Sequence, residues 1–383
     1  MAPVLDIDAL IDDPQTAIIV CCGSGGVGKT TIAAALGLRA AESGRRVVVL
    51  TIDPARRLAQ SLGLTTLDNT PRPVKGIDDT RGGTLDAMML DMKRTFDEVV
   101  QAHAAPDMAE QILANPFYQA VSSSFAGTQE YMAMEKLGQL RLEADLDPEN
   151  PRWDLIVVDT PPSRSALDFL DAPKRLGSFL DGRFIRLLAA PAKAGGRAYL
   201  KVFSTGVNLV TSTLAKVLGA QMLTDVQTFV AALDTMFGGF RERADHTYAL
   251  LGDRTTKFIV VATAERDALR EASYFVDRLG EEDMPLAGLI VNRMYRVSAP
   301  GLSAARALSA AEQLGDEGDS TAMTQGLLRL HAVQAEIAAR HQALAKRFIA
   351  GHPGIPLAEV PAASADIHDL VGLRLVGDAL ADN

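Results

Sequence analysis

The segment Gly23–Thr31, which reads GSGGVGKTT, constrains the fold of this chain more than any other segment. It fits the pattern G-x-x-x-x-G-K-[ST] and lies between an apolar run, Ala17–Cys22, and a segment with helical spacing, Lys29–Ser43. In that context glycines let backbone N–H groups curl around an anion, and the helix N-terminus adds a positive dipole end. The segment therefore predicts a phosphate-binding loop between a strand and a helix.

Further apolar runs follow the loop and alternate with helical patterns. They are Val47–Thr51, Leu85–Leu90, Leu155–Val158, Phe258–Ala262, Leu286–Val291 and Leu357–Val360. With the first run they predict an α/β fold, in which a mainly parallel sheet of about seven or eight strands carries helices on both faces. Two stretches without strand signals, about 93–146 and 176–251, are predicted to be helical insertions that form a helical subdomain of a single domain, residues 1–383. The second stretch contains several glycines and is either a core helical layer or a mobile apolar surface.

Charge and cysteine content exclude several classes of function. Lys and Arg number 38 against 48 Asp and Glu, a net charge of −10, and no basic run stands out, so we expect no nucleic acid partner. No apolar run reaches the roughly 20 residues of a membrane span, and the acidic N-terminus lacks the order of a secretory signal, so we expect a cytoplasmic protein without an integral membrane segment. The two cysteines, Cys21 and Cys22, are adjacent and form no Cys-x-x-Cys pair, which argues against a zinc site.

Four side chains carry the chemistry expected of such a loop. Lys29 is predicted to reach the β- and γ-phosphates, and the Thr30 hydroxyl to contact Mg²⁺. Asp53 follows the second strand, where it either orients the attacking water or caps a helix after a turn. Asp159 ends the apolar strand WDLIVVD, and it either holds the metal shell or caps a helix.

These motifs resemble those of a known family. The loop, together with Asp53-Pro54-Ala55, Asp159-Thr160-Pro161-Pro162 and Ile290-Val291-Asn292, is similar to the arsenical-pump and guided-entry (tail-anchored protein targeting) ATPases. The resemblance covers most of the chain and is closest to single-copy, actinobacterial-type members described as anion-transporting ATPases. It implies a phosphate-loop NTPase of the deviant Walker A class, which binds ATP and Mg²⁺ and is activated by dimerisation across the nucleotide.

The resemblance also implies roles for individual residues. Asp53 and Lys29 would be catalytic, and Thr30 and Asp159 would hold the metal. Asn292 would read the adenine edge through its amide, although an Asn at a strand end also caps turns. The remaining nucleotide contacts would come from the loop and from the last strand, where Val360 and Pro361 would wall the adenine. The loop residues are Gly25, Gly26, Val27, Gly28, Lys29, Thr30 and Thr31.

The sequence departs from the family at three places. Ser24 occupies the position of a signature lysine that contacts phosphates across the dimer interface. The missing charge would come either from a paralogous ATPase in a heterodimer or from Arg56 or Arg57, which are otherwise basic residues of a surface helix. The switch segment after Asp159-Thr160 reads Pro-Pro-Ser, which also differs from the guided-entry pattern. Finally, Arg293–Lys346 contains no cysteine, so we expect no zinc or arsenite site.

The predicted function is a Mg²⁺-dependent ATPase that acts as a nucleotide-driven dimer switch and handles hydrophobic or membrane-protein clients. One alternative is a regulatory or positioning ATPase that acts through a protein partner, and another is a weakly active nucleotide-binding subunit of a heterodimer. Methionines that would suit an adaptable client surface, or else pack in the core, are Met88, Met89, Met92, Met132 and Met134.

Overall fold

The chain divides into two compact units. In a computed structural model, residues 3–52, 57–116, 118–119, 128–147, 151–161, 242–243, 245–315 and 321–382 are described. One unit, here called the sheet unit, comprises Met1–Met88, Pro151–Ala166 and Gly252–Asn383. The other, the helical unit, comprises Met89–Asn150 and Leu167–Leu251. Each unit is considered by itself below.

The sheet unit is built on eight strands. They are β1 (Ile18–Cys22), β2 (Arg46–Thr51), β3 (Arg72–Pro73), β4 (Thr84–Met89), β5 (Leu155–Asp159), β6 (Thr256–Thr263), β7 (Leu286–Met294) and β8 (Leu357–Pro361). Their spatial order is β3-β4-β2-β5-β1-β6-β7-β8. The strand pairs β2–β5, β5–β1, β1–β6, β6–β7 and β7–β8 are parallel. At the edge of the sheet, β3 pairs with β4 antiparallel.

Helices connect the strands. They are α1 (Ile7–Asp12), α2 (Lys29–Glu42), α3 (Arg57–Ser61), α4 (Met92–His103), α5 (Pro106–Ala114), α6 (Thr128–Asp145), α7 (Arg266–Glu281), α8 (Ala304–Gly315), α9 (Ala322–Gly351) and α10 (Leu370–Ala381). Every residue of β1 and of β5 is buried. Because successive strand residues point to opposite faces, this burial means that both faces of the central sheet are covered.

The observed elements confirm the predicted α/β fold with a mainly parallel sheet. Each of the seven apolar runs forms a strand, and the helix predicted over Lys29–Ser43 is α2. The eighth strand, β3, escaped identification because its two residues, Arg72 and Pro73, are exposed and carry no apolar period. The predicted insertion 176–251 lies largely outside the described residues.

The helical unit contains α4, α5 and α6, within the range predicted for the first insertion. Its interior holds paired polar groups as well as apolar ones. The buried Glu135 carboxylate accepts a hydrogen bond from Arg243 at 2.8 Å, and the hydroxyl of Tyr118 donates to Asp97. Met132 and Met134 are buried here and Met88 is buried in the sheet unit, so these three pack in the core as one of the two interpretations predicted.

Candidate functional site at the carboxyl edge of the sheet

The predicted phosphate loop joins β1 to α2 with a backbone that only glycine tolerates at two positions. Gly28 has φ +95°, and a Cβ added there would lie 2.3 Å from Asn292 Nδ2. Gly23 has φ +148°, and its added Cβ would lie 2.1 Å from the Val261 carbonyl oxygen. Positive φ is costly for residues with a Cβ, and these two contacts add a steric clash. The glycines therefore let the loop backbone pack closely against β6 and β7.

Lys29 opens α2 and folds back over the loop. Its Nζ donates to the Ser24 carbonyl oxygen at 2.9 Å, and both residues are buried. Gly25 and Gly26, between them, are exposed. The helix begins without a side-chain cap, since its N-cap is Gly28. The loop thus has a buried cation on its inner side and an exposed backbone on its outer side, an arrangement that fits a phosphate chain.

Asp159 lies at the centre of a cluster of oxygen atoms. It ends β5, is fully buried, and its Oδ2 accepts hydrogen bonds from Thr30 Oγ1 at 2.7 Å and Thr51 Oγ1 at 2.9 Å. Hydroxyl and carboxylate oxygens are the ligands that Mg²⁺ prefers, so this donor set fits the ion that the sequence predicts. Thr51 was missed by the sequence analysis, although a hydroxyl at the end of a buried strand was the available signal.

Asn292 lies against the phosphate loop. Its Nδ2 donates to the Val27 carbonyl oxygen at 2.8 Å, and its Oδ1 accepts from the Arg293 backbone N–H at 2.9 Å. The side chain is buried, and β7 places it at the same edge of the sheet as Asp159. Its predicted contact with adenine stays a prediction.

The Arg293 side chain also reaches the loop and was not predicted from the sequence. Its Nη1 donates to the Gly26 carbonyl oxygen at 3.1 Å. On the neighbouring strand, Val360 is buried and Pro361 is half-buried, with Pro361 in register with Met294 of β7. This places both residues near the end of β7, and their role as adenine walls stays a prediction.

Some predicted site residues fall outside the described part of the chain. Asp53 and Arg56 are among them, and for Arg57 only its place as the first residue of α3 is described. Thr31 follows Thr30 in the first turn of α2 and is half-buried.

The two cysteines lie under the loop as buried side chains. Burial raises the pKa of the Cys22 thiol to about 12, and burial together with the charge of Asp159 raises the pKa of Cys21 well above its usual value. Both thiols are therefore protonated at neutral pH, whereas metals and arsenicals bind the thiolate. They pack as small apolar residues, as predicted.

The described residues form neither a carboxylate, histidine or cysteine cluster for a metal nor a helix that is both long and apolar enough to span a membrane. In the ranges given above, no three His, Cys, Asp or Glu side chains are grouped so as to hold a metal ion. Of the helices in those ranges, none combines the length and apolar character needed to cross a membrane.

Comparison with known proteins agrees with this geometry. Residues 16–302, about three quarters of the chain, match the family model described as anion-transporting ATPase. The chain is 25% identical over 282 residues to ATPase GET3C of Arabidopsis thaliana, covering 71% of this chain and 65% of that protein. It is 28% identical over 238 residues to a putative arsenical pump-driving ATPase of Halobacterium salinarum, covering 60% of this chain and 35% of that protein.

A third relative is the ATPase BagA of Mycobacterium tuberculosis, 27% identical over 193 residues, which are 49% of this chain and 54% of that protein. The match thus spans from about a third to just under two thirds of the length of these relatives. The family match and the relatives confirm the resemblance predicted from the motifs. The chain belongs to the anion-transporting ATPase family.

Proposed function

We propose that this chain hydrolyses ATP with Mg²⁺ at the carboxyl edge of the sheet. The observation that carries the proposal is the 2.7 Å hydrogen bond between Thr30 and the buried Asp159, directly behind a glycine loop whose cation is Lys29. Membership of an ATPase family supports the same activity.

Each residue would have a distinct task. The loop N–H groups and Lys29 would hold the phosphates, and Thr30 with Asp159 would hold Mg²⁺. The ion, when bound, would neutralise charge that develops on the transferred phosphoryl group. Asp53, two residues beyond Thr51, would orient the attacking water. Asn292 would contact the adenine, with Val360 and Pro361 beside it.

We further propose that hydrolysis drives a dimer switch, with the helical unit as a helical subdomain of a single ATPase domain. An exposed apolar row on α9 supports a role in binding apolar protein segments: Met323 is 81% exposed and Leu327 60%, with Leu330 and Val333 also exposed. Three- and four-residue spacings place such side chains on one side of a helix. The clients would be hydrophobic or membrane proteins.

Ser24 favours a second candidate, a subunit of a heterodimer with a paralogous ATPase. Its hydroxyl carries no charge, and the residue is buried beside Lys29. In that arrangement the paralogue supplies the missing lysine, and this chain alone hydrolyses ATP slowly. A regulatory ATPase that acts through a protein partner is a further form of the same switch.

The test is ATP turnover measured together with oligomer mass, over a range of protein concentrations. Substituting Lys29→Ala should lower turnover by at least about 100-fold, because it removes the cation at the phosphates. Asp53→Asn should leave ATP binding while removing hydrolysis. Lys75→Ala is the matched control, since Lys75 is exposed on a loop of the sheet unit.

The outcomes separate the candidates. Turnover that rises more steeply than protein concentration, with a dimeric mass, supports a homodimer switch. A slow monomer that accelerates only after co-expression with a paralogue supports the heterodimer. An Asp53→Asn protein with unchanged turnover would contradict the proposed mechanism.

A further inference from the structure

The residue after Asn292 has a backbone conformation that is unusual for its type. Arg293 has φ +58°, in the left-handed region that residues other than glycine enter only uncommonly. Its N–H donates to Asn292 Oδ1, which helps to hold that conformation. Such conformations persist only where the surroundings determine them, and they concentrate at functional sites. Here the pairing of β7 with β8 shifts in register between Val291 and Met294, and the Arg293 side chain reaches the phosphate loop.

The contact between Arg293 and the loop uses few of the hydrogen-bond donors of the guanidinium. One guanidinium nitrogen, Nη1, donates to the Gly26 carbonyl oxygen at 3.1 Å. A guanidinium has five N–H donors, so most remain available. Arg293 is exposed, and in the described part of the chain it pairs with no carboxylate. Its charge is therefore not neutralised locally by any described side chain.

The position of this charge complements that of Lys29. The Lys29 ammonium group lies on the inner side of the loop, bonded to the Ser24 carbonyl. Arg293 lies on the outer side, against the exposed Gly26. Between them the loop bears no other charged side chain, because its remaining residues are glycine, serine and valine. A phosphate chain lying in the loop would thus have a cation on each side.

We propose that Arg293 is a phosphate-binding residue of the nucleotide site and supplies the outer charge that Ser24 does not. A planar guanidinium matches phosphate oxygens with paired donors, which suits it to this task. The contact with Gly26 holds the side chain in place before nucleotide arrives. This inference rests on the proposed function, because it concerns the same loop and the same ligand.

The experiment measures binding of ATP, ADP and AMP by calorimetry in the presence of Mg²⁺. Arg293→Ala should weaken ATP binding by about tenfold or more, as expected for losing hydrogen bonds to charged groups. The loss should be smaller for ADP and smallest for AMP, because fewer phosphates remain to be contacted. Arg293→Gln keeps a donor for the Gly26 carbonyl but lacks the charge, so it should behave like Arg293→Ala.

Arg296→Ala is the matched control, because Arg296 is exposed and lies only three residues further along the chain, just after β7. It should bind all three nucleotides as the unmodified chain does. Melting temperatures without nucleotide establish that each variant is folded, and the exposed position of Arg293 makes a folding defect unexpected.

The following results would overturn the inference. Unchanged ATP binding in Arg293→Ala would show that Arg293 does not contribute to phosphate binding. An equal loss for ATP, ADP and AMP, with Arg293→Gln restoring binding, would make Arg293 a support for the loop backbone. If the unmodified chain binds no nucleotide, the proposed function fails with it. If Lys29→Ala abolishes binding while Arg293→Ala does not, only this inference fails.

Discussion

An aspartate directly precedes strand β5 and another ends it, and the two carboxylates have different surroundings. Asp154, at the amino end, accepts a hydrogen bond from Arg45 Nε at 2.6 Å and is partly exposed. Asp159, at the carboxyl end, is fully buried and accepts from the hydroxyls of Thr30 and Thr51. The first carboxylate is paired with an arginine cation, whereas the second accepts hydrogen bonds from two neutral hydroxyls.

The amino edge is organised by Arg45. Its guanidinium donates five hydrogen bonds, to the carboxylate and carbonyl of Asp154 and to the carbonyls of Ile11, Asp13 and Thr16. Every acceptor belongs to the sheet unit, so the contacts tie α1 to the starts of β1 and β5. One edge of the sheet thus uses its polar groups for stability, and the other gathers them around a loop that fits a ligand.

The largest effect is expected from Asp159→Asn. The change keeps the size of the side chain but removes a metal-binding charge, so turnover should fall by at least about 100-fold. The free energy of unfolding should change by less than about 1 kcal/mol, since the hydroxyls of Thr30 and Thr51 can still donate to the amide oxygen. Steady-state turnover and urea unfolding measure the two effects.

Asp154→Asn, directly before the same strand, is the matched control. It should lower stability, because the Arg45 contact loses its charge, while turnover below the unfolding transition stays unchanged. An equal loss of turnover in both variants would contradict the different roles given to Asp154 and Asp159.

The second effect is on stability. Arg45→Ala should lower the free energy of unfolding by about 2 to 4 kcal/mol, because four backbone carbonyls and a carboxylate lose their donor at a side chain only 12% exposed. Arg254→Ala, at an exposed arginine beside the start of β6, should change it by less than about 0.5 kcal/mol. Thermal unfolding of both variants tests this. Equal destabilisation would remove the special role given to Arg45.

The smallest effect is expected at an ion pair on the surface of the same unit. Arg39 donates to Asp8 at 2.5 and 2.8 Å, and these hydrogen bonds hold the pKa of the Asp8 carboxyl below its usual value. A lowered folded pKa means that the stabilisation is present above pH 3.8 and is lost as pH falls further. Because Asp8 is nearly half exposed, Asp8→Asn should cost less than about 1 kcal/mol at neutral pH.

The contribution of this ion pair is measured by unfolding Asp8→Asn and the unmodified chain between pH 6 and pH 2.5. The difference between the two proteins should shrink as pH falls below about 4. Asp12→Asn, on the exposed side of the same helix, is the control. A difference that grows toward low pH would contradict the assignment.

Much of the fold was predictable because its signals are local. Apolar runs such as Ile18–Cys22 and Leu155–Asp159 identify buried strands, and the glycine pattern identifies the loop. The eighth strand, β3, was not predictable, since it exists only through pairing with β4. Likewise, no pattern around Arg45 indicates its five acceptor atoms, which lie in residues 11–16 and at Asp154.

For the candidate site, the sequence by itself determined the phosphate loop, Lys29 and the aspartate that ends β5, because each depends on residues adjacent in the chain. Only the tertiary structure decided that Thr30, Thr51 and Asp159 share hydrogen bonds, and that Arg293 reaches Gly26. Thr30 and Asp159 are 129 residues apart, and Gly26 and Arg293 are 267 apart. Such contacts follow from the order in which parallel strands pair, with β5 between β2 and β1 and β7 beside β6. That order is set by packing over the whole sheet, which no local pattern records.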